Sequence, residues 1–355
     1  MAKHPQAAPR ARSGPSRSTR ARPSPSGVIS TIRELMRLAF MLLPTIILSP
    51  PQSQKGEVSE TLVSDASPSW QGLAGRLVCH CHRRSISRRI IISMKNQNPS
   101  VAIIGSGMSG LCMAIKLQRA GFDDFDIYEK ADSVGGTWRE NTYPGLSCDV
   151  PSHYYSYSFE LKSDWTKRFS SGEEIRQYLE MVADKYDVRR SIRFNTEVTE
   201  CRWRGDSWEL DLSDGTSTRA DVVVSATGVL HHPRYPDIEG IDSFNGACFH
   251  SARWNHDVQL DGKRVGVVGN GSTSIQMVTE LVSRVDTMTM FQRTAQWVAP
   301  SADKVYSDKF KKALRYVPGL QFLVYHALRI FFEQIGGRAV IRPGWQRTQV
   351  AAACR

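Results

Sequence analysis

The sequence predicts an α/β fold with two Rossmann-like units, the first carrying an antiparallel meander as an insertion and the second incomplete. Three observations predict it. "VAIIGSGMSGLCMAIKLQRAG" and "KRVGVVGNGSTSIQMVTELVSRV" each run from a short apolar strand through a glycine-rich turn into a segment of helical period. Between them, "SIRFNTEVTECRWRGDSWELDLSDGTSTRADVVVSATG" alternates apolar and polar residues between Gly and Asp turns and closes on a buried-strand run. After "TMTMFQRT" no further pair of buried strands follows, although a doubly wound unit normally has more.

Ahead of these units lies a segment of different chemistry. The net charge of +11 would ordinarily suggest a nucleic-acid or anionic-membrane partner. Residues 1–93 hold 14 basic against 4 acidic side chains, whereas the rest hold 32 against 31. The basic excess therefore belongs to the first segment, and no nucleic-acid partner is expected. Residues 1–96, rich in Arg, Ser, Pro and Ala, are expected to be a disordered, low-complexity extension. The apolar run at residues 38–48 contains Pro44 and is too short to span a bilayer, so membrane association is not expected. Three origins stay open for the extension: a transit peptide, a signal-like anchor, or upstream sequence outside the natural protein. The last is favoured because Met94 stands just before the first strand. Cys79, His80, Cys81 and His82 lack zinc-ligand spacing, so no metal is expected. Cys112, Cys148, Cys201, Cys248 and Cys354 form no framework, which suits a reducing, cytoplasmic setting; an organelle or membrane location is the alternative if the extension is native.

In the first unit, Gly105 makes the turn, Gly107 allows backbone to approach a pyrophosphate, and Gly110 lets helix pack on strand. The next strand, "FDIYEK", ends in Glu129, placed for a carboxylate to accept ribose hydroxyls, and the glycine pair of "GGTW" allows close contact with a ligand. In the second unit Gly269 and Gly271 recur, with the small Ser274 at the third position. Arg293 ends its next strand at the position equivalent to Glu129. A carboxylate there repels a 2′-phosphate and an arginine pairs with one, so the two sites suit FAD and NADPH respectively. "KFKKALRYVPGLQFLVYHALRIFFEQIG" reads as amphipathic helix.

"GSGMSG", "GGTWRENTYPGLSCDVPSHYYSYSF", "ATGVLHHPRYPDIEG", "FNGACFHSARW" and "GNGSTSIQ" together resemble class B flavin-dependent monooxygenases of the Baeyer–Villiger type over roughly residues 97–330. The fingerprint F-x-G-x-x-x-H-x-x-x-W is matched by Phe244, Gly246, His250 and Trp254, with Asn255 departing from the usual next residue. The resemblance implies an FAD-binding domain at 97–240, a fingerprint linker at 241–260, the first part of an NADPH-binding domain at 261–300, and a helical segment with an aberrant C-terminus at 301–355. It implies FAD contacts by Gly136, Glu129, Thr137, Trp138, Asp149, Tyr155, Val198, Ala226, Thr227 and Gly228. Ser147 and Cys148, with Asp149, match the segment beside the nicotinamide. Asn270, Gly271, Ser272, Thr273, Ser274, Gln276, Arg293 and Thr294 match NADP contacts. Asp149, His250 and Trp254 are the implied catalytic residues, Asp149 by orienting an arginine beside the flavin and the other two by holding the domains in position. The implied reaction inserts one oxygen atom of O2 next to a ketone carbonyl, through a C4a-peroxyflavin, to give an ester or lactone. N- or S-oxygenation, or an inactive dinucleotide-binding remnant, is the alternative. Family members continue past residue 355, and the active-site arginine lies in that portion, so the chain is expected to be C-terminally truncated.

Overall fold

The computed structural model describes residues 98–230, 232–296 and 303–337, together with 46–48, 344 and 348. Its first sheet is built on β2 (Val101–Ile104), whose near-continuous burial marks a strand covered on both faces. α1 (Met108–Ala120) follows, burying Leu111, Ala114, Ile115 and Leu117 on one stripe. It stops at Gly121, whose φ of 87° suits a left-handed helix end. β3 (Phe125–Tyr128) then lies parallel to β2, with Val101 opposite Phe125.

A short helix α2 (Thr137–Glu140) and the longer α3 (Gly172–Lys185) lead to β4 (Ile192–Arg193). The Ser171 side chain accepts from Glu174 N–H and starts α3, which buries Ile175, Tyr178, Leu179 and Val182. β4 corrects the reading of "SIRF" as part of the meander, because Ile192 pairs parallel with Ile127 of β3. A helical crossover returns the chain in the parallel sense, and the buried Ile192 joins the main core.

The meander itself is β5 (Val198–Trp203), β6 (Trp208–Leu212) and β7 (Ser217–Ala220), a three-stranded antiparallel sheet. Alternation on β6 turns Trp208, Leu210 and Leu212 inward against Ala102, Tyr128 and Val223, so this sheet covers the second face of the first. β8 (Val222–Ser225) re-enters the first sheet parallel to β2. Beyond it, β1 (Ile46–Leu48) pairs antiparallel along β8, giving the order β1-β8-β2-β3-β4. Disorder is expected at Ile46–Leu48; β8 instead offers an edge to an apolar run that holds two β-branched isoleucines. The rest of the extension, including Cys79 to His82, lies outside the described residues.

The second unit comprises β9 (Arg264–Val268), α4 (Ser272–Leu281) and β10 (Thr287–Phe291), with β9 and β10 parallel. Its small core of Val267, Met277 and Leu281 also takes in Tyr143 from the first unit and packs on Trp254. The single amphipathic helix expected downstream is two, α5 (Asp308–Tyr316) and α6 (Leu320–Phe331). Pro318 disfavours helical backbone at Val317 and donates no N–H, and Gly319 turns the chain at φ 76°. No helix among the described residues is long and apolar enough to cross a membrane.

Candidate functional site

The two glycine turns have matching backbones. Gly105 and Gly269 take φ of 101° and 108°, a region open to glycine. Each donates its N–H to the carbonyl ending the neighbouring parallel strand, Tyr128 and Phe291 respectively, at 2.8 Å. Gly107 and Gly271 follow as extended residues that open α1 and α4 with no side-chain cap. By contrast, α3 and α5 are capped by Ser171 and Ser307. The first-turn N–H groups of α1 and α4 are therefore left for an anion, and the helix dipole favours one there. A Cβ on Gly105 would meet the Ala226 carbonyl oxygen at 2.6 Å, and one on Gly110 the Gly105 oxygen at 1.9 Å. The second turn is looser: a Cβ on Gly271 would meet nothing within 4 Å, and the buried Ser274 replaces the third glycine.

At the end of β3 the buried Glu129 carboxylate ties this turn together. Its Oε2 accepts from the backbone N–H and the hydroxyl of Ser106, both at 2.8 Å. Its Oε1 accepts from Ala131 N–H at 3.1 Å and from the Arg139 guanidinium at 3.2 Å. Arg293, at the equivalent place after β10, is exposed and has no polar partner among the described residues. Asn270 donates to Gln292 at 2.8 Å and to the Thr294 carbonyl at 2.7 Å, which fixes the turn beneath it.

The "GGTW" loop closes over the first turn. Gly136, at φ 53°, comes so near that its Cβ would lie 3.1 Å from Gly107 Cα. Thr137 and Trp138 then open α2, and the Trp138 indole N–H donates to the Tyr155 hydroxyl at 3.2 Å. Burial pushes the Tyr155 phenol and the Cys148 thiol each up to about 12. Both stay protonated near neutral pH. Ala226 N–H continues the β2 pairing at 2.9 Å; Thr227 and Gly228 lead outward, Gly228 with φ 72°. Val198 opens β5 just beyond Thr196, whose N–H donates to the Glu129 carbonyl, and it packs on the meander core.

Gln276, an expected nucleotide contact, has its carboxamide partners in the first unit. From α4 it reaches the first unit, accepting from Tyr143 hydroxyl at 3.0 Å and Ser147 N–H at 3.3 Å. It donates to the Ser147 carbonyl at 3.0 Å and to Asp149 Oδ1 at 2.6 Å. Gly145, missed in the sequence, allows this approach: at φ 80°, its Cβ would stand 2.6 Å from the Gln276 carbonyl oxygen. The "YPG" turn was the available signal. An open cavity of about 460 Å³ beside these groups is lined by Trp138, Tyr143, Ser147 and Arg176 among others.

The fingerprint residues form local contacts. The Phe244 ring lies where a Cβ on Gly246 would be, 2.6 Å from its Cε1, which explains the F-x-G spacing. His250 Nδ1 accepts from Ala252 N–H at 3.1 Å, its backbone N–H donates to Tyr235 hydroxyl, and burial lowers its pKa. Trp254 meets Phe249 edge-on at 5.1 Å between centroids and packs on the second unit's core. Cys112, Cys148, Cys201 and Cys248 are free thiols, and among the described residues no cluster of metal-ligand types exists.

A family model described as pyridine nucleotide-disulphide oxidoreductase matches residues 102–310. The chain belongs to this family. Within it, the resemblance to Baeyer–Villiger monooxygenases is shown by individual relatives. The chain is 49% identical over 262 residues to an uncharacterized monooxygenase of Mycobacterium tuberculosis, covering 74% of this chain and 53% of that protein. It is 48% identical over 225 residues to a Baeyer–Villiger monooxygenase of Streptomyces coelicolor, covering 63% of this chain and 43% of the relative. Cyclohexanone monooxygenase from Rhodococcus sp. Phi1, solved bound to NADP+, superposes with a TM-score of 0.56 at 37% identity, covering 61% of this chain and 42% of that one. The chain thus spans about half the length of these family relatives.

Proposed function

We propose that the chain supplies the nucleotide-binding half of a Baeyer–Villiger monooxygenase, with FAD in the first glycine turn and NADPH in the second. A ketone and O2 are the substrates, and an ester or lactone is the product. The observation that carries this is the pairing of two dihedral-matched, uncapped glycine turns, one ending in Glu129 and the other in Arg293, held together through Gln276.

The glycine cradles fit the two dinucleotides, since larger side chains would strike backbone at Gly105 and Gly110 and the open helix ends can receive pyrophosphate. When bound, NADPH supplies a hydride to the flavin, which then activates dioxygen. The chain's own residues bind and orient. Glu129 has its roughly four acceptor sites filled, so a ribose hydroxyl enters by displacing the Ser106 hydroxyl, the one donor free to rotate away. Arg293 pairs with the 2′-phosphate. Tyr155 and Cys148 hold their protons and line the site without adding charge. The same thiol chemistry argues against disulfide exchange, because a thiol with its pKa near 12 offers almost no thiolate. Asp149 provides the carboxylate that orients a cation beside the flavin. His250 and Trp254 fix the linker, His250 by capping its turn and Trp254 by packing on the second unit's core.

The test is the visible spectrum of the purified protein, followed by NADPH consumption with a ketone panel. Stoichiometric flavin with ketone-dependent ester formation is expected. A folded protein that takes up neither FAD nor NADPH would refute the assignment.

A further inference from the structure

We infer that Gln276 is a positioning residue that couples dinucleotide occupancy of the second glycine turn to the placement of Asp149, an inference that rests on the two-dinucleotide reading above. A carboxamide has two acceptor lone pairs and two N–H donors, and Gln276 uses all four on the segment from Tyr143 to Asp149. The arrangement fixes the amide orientation, because a flipped carboxamide would set its NH2 group against Ser147 N–H. The Gly145 backbone lies directly against that of Gln276, so the two units touch here without an intervening side chain.

The same helix presents the nucleotide turn. Gln276 lies five residues beyond Gly271, which is about 7.5 Å along a rigid α-helix at its ordinary rise. A phosphate that settles on the α4 N-terminus fixes the whole helix. Gln276 then holds Ser147 and Asp149 in one register against it. Asp149 is exposed, and Gln276 is its one side-chain partner among the described hydrogen bonds. The carboxylate is therefore well placed only when α4 is.

Amide hydrogen exchange, with and without saturating NADP+, tests this on the full chain and on Gln276→Leu and Gln276→Glu. In the wild type, NADP+ should slow exchange about tenfold both at the 269–275 turn and at residues 147–149. In Gln276→Leu the slowing should persist at the turn and vanish at 147–149. Gln276→Glu, which keeps both acceptor bonds but repels Asp149, should retain it at Ser147 only. Slowing at 147–149 that survives Gln276→Leu, or protection of the turn alone in the wild type, overturns the coupling while leaving nucleotide binding intact. Protection at neither site overturns the dinucleotide reading and the coupling with it.

Discussion

Glu129 Oε2 accepts both the backbone N–H and the hydroxyl of Ser106 at 2.8 Å, so the end of β3 and the first glycine turn are one hydrogen-bonded unit. Replacing Glu129 with Ala strands those donors, Ala131 N–H and a guanidinium in a buried pocket, and should cost about 3 kcal/mol. Ser106→Ala removes one of the four donors and should cost the unliganded protein about 1 kcal/mol while raising FAD affinity by up to about fivefold, because the lost bond is the one the ribose displaces. Urea unfolding with flavin titration separates the two; equal losses would contradict the displacement of the Ser106 hydroxyl by ribose.

The two turns differ in how tightly they are closed, and substitution should read that difference. Gly110→Ala forces a Cβ to within 1.9 Å of the Gly105 oxygen and should destabilise by at least roughly 2 kcal/mol. Gly271→Ala has open space around it, so melting should be unaffected while NADPH affinity falls about tenfold or more as the methyl keeps phosphate off the backbone. Calorimetric melting and nucleotide titration measure both.

Arg293 is exposed and has no polar partner among the described residues, so its replacement should leave the fold alone. Arg293→Gln is expected to weaken NADPH binding about tenfold through loss of a charge-assisted pair, with NADH affinity nearly unchanged. A parallel loss for both nucleotides would show that the arginine does not read the 2′-phosphate.

His153 is buried against Tyr306 and Phe310, and burial lowers its pKa to about 4. The unfolded chain takes up the proton near pH 6.5, but the folded chain refuses it until about pH 4, so the unfolded state binds more protons within that window. Stability should therefore fall on acidification from about pH 6.5 to about 4, by up to roughly 1.4 kcal/mol per pH unit. His153→Phe, which keeps an aromatic ring in the box, should flatten this part of the melting-temperature profile. An unchanged slope would assign the acid sensitivity to other groups.

His250 acts as a cap in this structure, its Nδ1 accepting from Ala252 N–H. Asparagine can offer an acceptor of similar reach, so His250→Asn should retain stability where His250→Ala loses about 1 kcal/mol. If turnover with a ketone falls equally in both variants, the imidazole has a role beyond the cap; if His250→Asn retains it, the cap suffices.

The strand-turn-helix units, the meander and the chemistry of their glycine turns were legible in the chain because they rest on local rules: residue period, and positive φ at Gly105 and Gly269. The opposite charges of Glu129 and Arg293 were equally plain, being set by spacing from those turns. The tertiary structure decided what needed distant partners. Ile192 joined the parallel sheet because β3 offered it an edge, Ile46–Leu48 found another on β8, and Pro318 with Gly319 split a continuous apolar period into two helices. Most of all, Gln276 found the partners of its carboxamide on Tyr143, Ser147 and Asp149. A side chain's period tells which face of its helix it occupies, but its hydrogen-bond partners are fixed only when a second surface supplies them.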